Sequence, residues 1–483
     1  MRHRSALGWG VVLAALTAPA MWLAPGCGAR TDVDEETDGD EQDAGSVAAD
    51  GGEDASADAP VDAPEDVTAD VEPDSLEDAP PDSPEDAPPD SPPDSPADAP
   101  PDSPEDAPPD APADAPPDSP PDAPADAPPD GACPDNDGDG YTACDGDCDD
   151  GNPLINPGAF DFPNGIDDDC DGGIDNPILN CSAGLQYTSQ DPLDYAKAID
   201  ICQTTTADAM GADLKWGLIS AELRLADGTG TPAPTSHAII TAMGNVLGPR
   251  MNSNFVLFSS GHAAAPGHPY YQGGTPQGGT GFGISSAAPP GFPTNKAGCP
   301  IPFGSIAFDP VNLKLSIRTP TNAKSLGFDH AFFSSEYPEY ACSGFNDLWV
   351  TLLQTGAAGI ANNKNIIFDT QGTPGSVNLN FFDRCVAGPT GCAGMPGFNF
   401  CSGGKAELSG TGYGDPDAPC GVQSSIGGAT GWVTTEAPVL PGEVITVQFM
   451  VWDSSDGIFD SAAIFDNFRW LQGALPNPKT YRP

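Results

Sequence analysis

Short apolar runs, separated by turns rich in Gly and Pro, fill the second half of the chain. They fall at residues 216–225, 254–258, 313–317, 325–333, 347–353, 365–368, 377–382, 443–452 and 462–471. Each is short for a helix, and most carry β-branched or aromatic side chains, so each predicts a strand. Many short strands with loops between them predict a mainly β fold, a sandwich or jelly-roll-like domain over 180–474, followed by a C-terminal tail, 475–483. One stretch departs from this pattern. Leu193, Ala196, Ala198, Ile199 and Cys202 recur at mostly helical spacing behind Asp191-Pro192, so a short helix is expected over 191–202. Two loops are long, 259–300 and 384–430. The second holds Cys385, Cys392, Cys401 and Cys420, and disulfides are expected to brace it.

The first third has no such periodicity. Residues 1–27 read as an export signal: Arg2, His3 and Arg4 precede an apolar stretch over 6–23. Leu23-Ala24-Pro25-Gly26-Cys27 then resembles a bacterial lipobox, which implies lipid on Cys27 and a membrane anchor. Cleavage near 18–20 would instead release a secreted protein. No other stretch reaches the roughly 18 apolar residues of a membrane helix. Residues 28–132 are a loose repeat of Asp, Ala, Pro, Ser and Glu without one aromatic side chain. Such a segment buries too little apolar surface to offset its ordering entropy, so an extended, disordered stalk is expected.

Charge sharpens this division. The 483 residues carry a formal net charge of −54. Residues 31–130 hold 35 of the 71 acids and no Lys or Arg; residues 131–180 add 13 acids and again no base. That leaves 23 acids against 14 bases in 181–483, so the extreme charge belongs to the first third. Nucleic acid is excluded as a partner, because phosphate contacts need Lys and Arg. Divalent cations are favoured. Of the 13 Cys, all but Cys27 lie after residue 132, and no CxxC pair occurs. In an exported chain twelve remaining cysteines imply disulfides.

Acid spacing singles out residues 133–176. Asp135, Asp137 and Asp139 stand at positions 1, 3 and 5 of a loop, with Gly140 at 6 and the carbonyl of Tyr141 at 7, the opening of a calcium loop. Position 12 holds Gly146 where an EF-hand has Glu, so this is not an EF-hand. Asp147 or Asp149 must close the site, or a neighbouring loop; Asp150 lies beside them. Asp167, Asp169 and Asp171 repeat the spacing with Gly172 at 6 and Asp175 at 9. Cys148 and Cys170 are placed to staple the two loops, with Cys133 and Cys144 as the second pair. Asp147-Cys148-Asp149-Asp150, Asn156-Pro157-Gly158-Ala159 and Asn164-Gly165-Ile166-Asp167-Asp168-Asp169-Cys170-Asp171-Gly172 resemble the metal-binding motif named for the copper protein MopE. Asp161 stands where that family usually has Glu. The family name implies copper. Residues 133–176 contain no His or Met, and all-oxygen ligation points to Ca²⁺ instead.

A second resemblance spans about 260 residues. It rests on 255–261, on Phe333-Ser334-Ser335-Glu336-Tyr337-Pro338-Glu339-Tyr340 with Gly344-Phe345-Asn346-Asp347, and on Asp453-Ser454-Ser455-Asp456-Gly457-Ile458-Phe459-Asp460-Ser461. These segments are similar to the choice-of-anchor L domain of bacterial surface proteins. The resemblance implies a β-rich fold and a surface location, with no known ligand. Glu336, Asn346, Asp347, Asp453, Asp456 and Asp460 sit at strand ends or in turns. Brought together, they would form a second cation site; apart, they would only shape turns.

No GxSxG, HExxH, P-loop or GxGxxG motif is present. His262 and His268 are spaced unlike zinc ligands, and His330 stands alone. The chain reads as a non-enzymatic, exported outer-membrane or cell-surface protein that binds calcium and presents its β-domain to a glycan or cell-surface protein. A hydrolase acting on surface polysaccharide or protein, and a purely structural envelope protein, are the alternatives.

Overall fold

The computed structural model describes residues 133–177, 179–272, 280–414 and 427–483. The export segment, Cys27, the acidic stalk and Cys420 lie outside the described residues. None of the described helices is long and apolar enough to cross a membrane.

In chain order the strands are β1 (Gly217–Arg224), β2 (His237–Ile240), β3 (Phe255–Ser259), β4 (Ser285–Ala287), β5 (Ile306–Arg318), β6 (Ser325–Ser334) and β7 (Leu348–Gln354). They continue with β8 (Gly388–Thr390), β9 (Gly397–Asn399), β10 (Gly428–Ala429), β11 (Val433–Pro438), β12 (Val444–Ser454), β13 (Ser461–Leu471) and β14 (Lys479–Tyr481). One sheet runs β1-β5-β12-β7, with β4 added on β5; the other runs β14-β11-β6-β13-β3-β2, with β10 added on β6. All of these pairings are antiparallel.

The sheets face each other across one core. Leu313, Leu315 and Ile317 of β5 and Val447, Phe449 and Val451 of β12 meet Phe328 and Phe332 of β6 and Phe465 of β13. Phe449 packs edge-on against Phe328 and Phe465, with ring centres 5.1 and 5.0 Å apart. The outer faces are covered too. Phe255, Leu257, Phe333 and Ile464 lie under Met243, Leu408 and Tyr413, while Val350, Met450 and Trp452 lie under Phe292. Central strands buried on both faces read as continuous apolar runs, and β6 is buried at every position. That is why the pattern located β6 and β7; β5 was located by the alternation of Leu313, Leu315 and Ile317 with less buried residues.

Four expectations need correcting. The helix spans only Pro192–Ala198 (α1). Asp191 caps its start, accepting from Leu193 N at 3.0 Å, and Asp200 in the left-handed region (φ 75°) ends it. Residues 365–368 form isolated bridges, not a strand. Residues 377–382 form successive turns, closed by Leu379 N to Ser376 O and Phe382 N to Leu379 O. Those turns still bury Val377, Leu379 and Phe382, which is what imitated a strand. The segment after 474 is no mere tail: β14 pairs with β11, and Lys479 and Tyr481 both bind Glu436. Within the second long loop, β8 pairs with β9 and Cys385 bonds to Cys401; Cys392 is also disulfide-bonded. Cys181–Cys202 and Cys299–Cys342 staple other loops.

Candidate metal centre

Residues 133–176 bury few apolar side chains, among them Tyr141, Ile155 and Ala159. Their shape comes from carboxylates folding the backbone around themselves. In the first loop Asp135 accepts from Gly138 N at 2.6 Å and from Gly140 N at 3.0 Å; Asp139 accepts from Tyr141 N at 2.9 Å. In the second, Asp167 accepts from Asp171 N at 3.2 Å and Gly172 N at 3.0 Å. Gly140 and Gly172, both at position 6, have φ of 97° and 92°, which only Gly adopts without strain. Disulfides Cys133–Cys144 and Cys148–Cys170 close the two loops.

Three groups of carboxylates converge. Asp135, Asp137 and Asp139 bring one oxygen each within 4.8 Å of one another; so do Asp137, Asp147 and Asp150, and so do Asp167, Asp169 and Asp171. Asp137 belongs to the first two groups, so loop 1 is closed by Asp147 and Asp150. Asp149 is exposed and joins no group. The choice between the two neighbours is made by Asn136, whose backbone and side-chain N–H groups grip Asp150 at 2.9 and 2.7 Å. Asp175 is also outside the groups, because its Oδ1 pins the turn at Asn164 N and Gly165 N, each at 2.8 Å. Tyr141 is buried, and its hydroxyl donates to Leu214 O of the β-domain. Oδ2 of Asp137 and Oδ2 of Asp147 are buried without a hydrogen-bond partner. Buried carboxylate oxygens left so are costly unless a cation or proton meets them.

Burial raises the affinity of Asp139 and Asp147 for a proton, with Asp137's charge adding to both. Asp169 is pushed up to about 6, first by burial and then by the charge of Asp171. A cation must displace that proton. Affinity at the second loop should therefore be level above about pH 7 and fall about tenfold for each pH unit below about 6. Calcium titration calorimetry across that range checks it; a level affinity down to pH 5 would contradict it.

Asn156 was not singled out as a site residue, yet it is the hub. Fully buried, it donates to Asp139 Oδ2 at 2.7 Å and accepts from Thr321 Oγ1 at 2.8 Å; its backbone N–H donates to Asp168 O at 2.9 Å. It thus joins loop 1, loop 2 and the β5–β6 turn. Asn322 completes the docking. Its Oδ1 accepts from Phe160 N and its Nδ2 donates to Phe160 O, both at 2.9 Å. Asn322→Ala should cost about 1 kcal/mol, because it removes two hydrogen bonds to the part-buried amide and carbonyl of Phe160. Hydrogen exchange at 147–176 should rise while the β-sheets stay protected; unchanged exchange would show that this contact does not hold the module. Asp161 and Asp168 work as braces. Asp161 accepts from Asp168 N and Asn176 N, and Asp168 accepts from Phe162 N and Asn164 Nδ2.

A cleft of about 540 Å³ opens beside loop 2. Phe160, Trp216, Phe468 and Trp470 supply apolar walls, and Asp169, Asp171 and Arg469 line it too.

The folded acidic module thus carries converging carboxylates of the kind that suits a metal ion and is docked on a β-sandwich. Two family matches agree. Residues 147–176 match the copper-binding MopE type of metal-binding motif, and residues 313–468 match the choice-of-anchor L domain. No curated protein matches the chain. The two families together indicate a surface-associated, non-catalytic protein with a metal-binding motif.

Copper does not fit the donors present. The converging groups are carboxylates alone, and the four cysteines of the module are in disulfides. Copper favours imidazole, thiolate or thioether ligands, whereas carboxylate oxygens suit hard cations.

Proposed function

We propose that the chain is a calcium-binding surface lipoprotein of the outer membrane that presents its β-domain to extracellular ligands. The observation that carries this reading is Asp137, shared by two carboxylate groups and holding a buried, unpartnered oxygen. Carboxylates at positions 1, 3 and 5, with Gly at 6, are what a Ca²⁺ ion at about 2.4 Å requires. Asp135, Asp137, Asp139, Asp147 and Asp150 would hold one ion, and Asp167, Asp169 and Asp171 another. Cys27 would carry the lipid.

A glycan is the ligand class that the cleft supports best. Aromatic walls stack on sugar rings, and carboxylates with an adjacent cation bind their hydroxyls. A glycan array probed with the full chain in calcium and in EDTA tests this. Binding to defined sugars only in calcium is expected; no binding in either buffer would remove the glycan. Mass spectrometry of the mature protein tests the anchor separately, and a mature N-terminus without diacylglycerol on Cys27 would remove it.

A further inference from the structure

The β-domain holds a second set of acids, far from the acidic module in sequence. Glu336 and Asp347 lie at the two ends of the β6–β7 connection, and Asp453 lies near the end of β12. Each is 1% exposed. None of the ion pairs among the described residues reaches any of them. Buried carboxylates without a basic partner must be neutralised by protons or by a metal.

Their hydrogen bonds tell the members apart. Asp347 is fixed, accepting from Ser454 N at 3.0 Å and Ser461 Oγ at 2.7 Å. Asp460 is committed elsewhere: its Oδ1 accepts from Thr280 N at 2.9 Å and anchors that loop. Asp456 is only part-buried and accepts from Ile458 N at 3.2 Å. Both oxygens of Asp453 and Oε2 of Glu336 are buried without a hydrogen-bond partner. Ser260 lies beside Asp453 and lowers its proton affinity, but no hydrogen bond of good geometry forms between them. Hydroxyl oxygens are close by as well, since Ser334 Oγ and Ser461 Oγ are hydrogen-bonded to each other at 2.9 Å.

We propose that Asp453, Glu336 and Asp347 form a structural site for a divalent, oxygen-seeking cation, clipping the β6–β7 connection to the β12–β13 turn. The three carboxylates are set wider than those of the loops, since they do not bring three oxygens within 4.8 Å of one another. Asp453 already lies within hydrogen-bonding reach of Asp347, so cation binding would draw the Glu336 side chain toward that pair. Burial holds all three carboxyls well above the usual range; the charge of Asp347 adds to this at Glu336 and Asp453, whereas a side-chain hydrogen bond with Asp453 works the other way at Asp347. A bound ion would remove that penalty.

Calcium stoichiometry on the full chain, by native mass spectrometry and titration calorimetry, tests the site. Asp453→Asn and Glu336→Gln should each bind one ion fewer than the parent and lose that part of the calcium-induced rise in melting temperature. The variant Asp135→Ala/Asp137→Ala/Asp167→Ala/Asp169→Ala, which removes the carboxylates at positions 1 and 3 of both module loops, should keep one ion. Should the β-domain variants not fold, this module variant decides alone: retention supports the site, and complete loss of calcium overturns it. Unchanged stoichiometry in both β-domain variants would overturn it too, and would mean that the carboxyls are neutralised by protons.

Discussion

EDTA should loosen residues 133–176 selectively, and calcium should restore them. The reason is electrostatic. The module packs 13 acids and no base into its sequence neighbourhood, against few buried apolar side chains. Without a cation its carboxylates repel one another and two buried oxygens stay unpaired. Calcium at a hundredfold excess over its dissociation constant would add about 2.7 kcal/mol per site. Because Asn156 ties loop 1 to the β5–β6 turn, loss of the ion should also free that turn. Hydrogen exchange should show 133–176 and 319–324 exchanging faster in EDTA, with β5, β6, β12 and β13 unchanged. Copper should not substitute. Equal protection with and without EDTA would refute the module's dependence on metal.

Trp349→Ala should be the most damaging single core change. Trp349 is fully buried and stacks on Phe332 with ring centres 4.6 Å apart. Its Nε1 donates to His330 Nδ1 at 3.2 Å, and His330 Nε2 meets Thr435 Oγ1 at 2.8 Å. Removing the indole costs about 3–5 kcal/mol from the cavity and lost burial. It also leaves a ring nitrogen unpaired in the core, at about 1–3 kcal/mol more. His330 cannot relieve this by taking a proton, since burial pushes its pKa down to about 3. Trp349→Phe keeps an aromatic ring and should cost clearly less. Urea unfolding followed in the β-domain checks both; an alanine variant within about 1 kcal/mol of the parent would contradict this account of the core.

The legible strands were of two kinds: β6 and β7, whose apolar residues run almost unbroken because both faces are buried, and β5, whose Leu313, Leu315 and Ile317 alternate with less buried Lys314 and Ser316. β11 was not legible, because Thr434, Thr435 and Glu436 interrupt its pattern. They find partners in Asp329, in His330 with Thr480, and in Lys479 with Tyr481, none of them near in the chain. The turns at 377–382 misled for the opposite reason, since three apolar residues were buried without a strand. Acid spacing announced the two loops because a calcium-type loop is a local object. Which acid closes loop 1 was not legible, since Asp149 and Asp150 are neighbours and a distant Asn136 selects between them. Nor was the hub at Asn156, whose role depends on Thr321, 165 residues away. Glu336, Asp347 and Asp453 could be named as candidates, but only the strand order brings them together.

A hard cation held by carboxylates in the acidic module is the central expectation. A crystal structure of the full chain grown in calcium, with anomalous scattering collected at long wavelength, tests that most directly. It should show a calcium peak bounded by Asp135, Asp137, Asp139, Asp147 and Asp150 and another at Asp167, Asp169 and Asp171, with oxygens at about 2.4 Å. No peak at either group, or a peak only for copper, would contradict it.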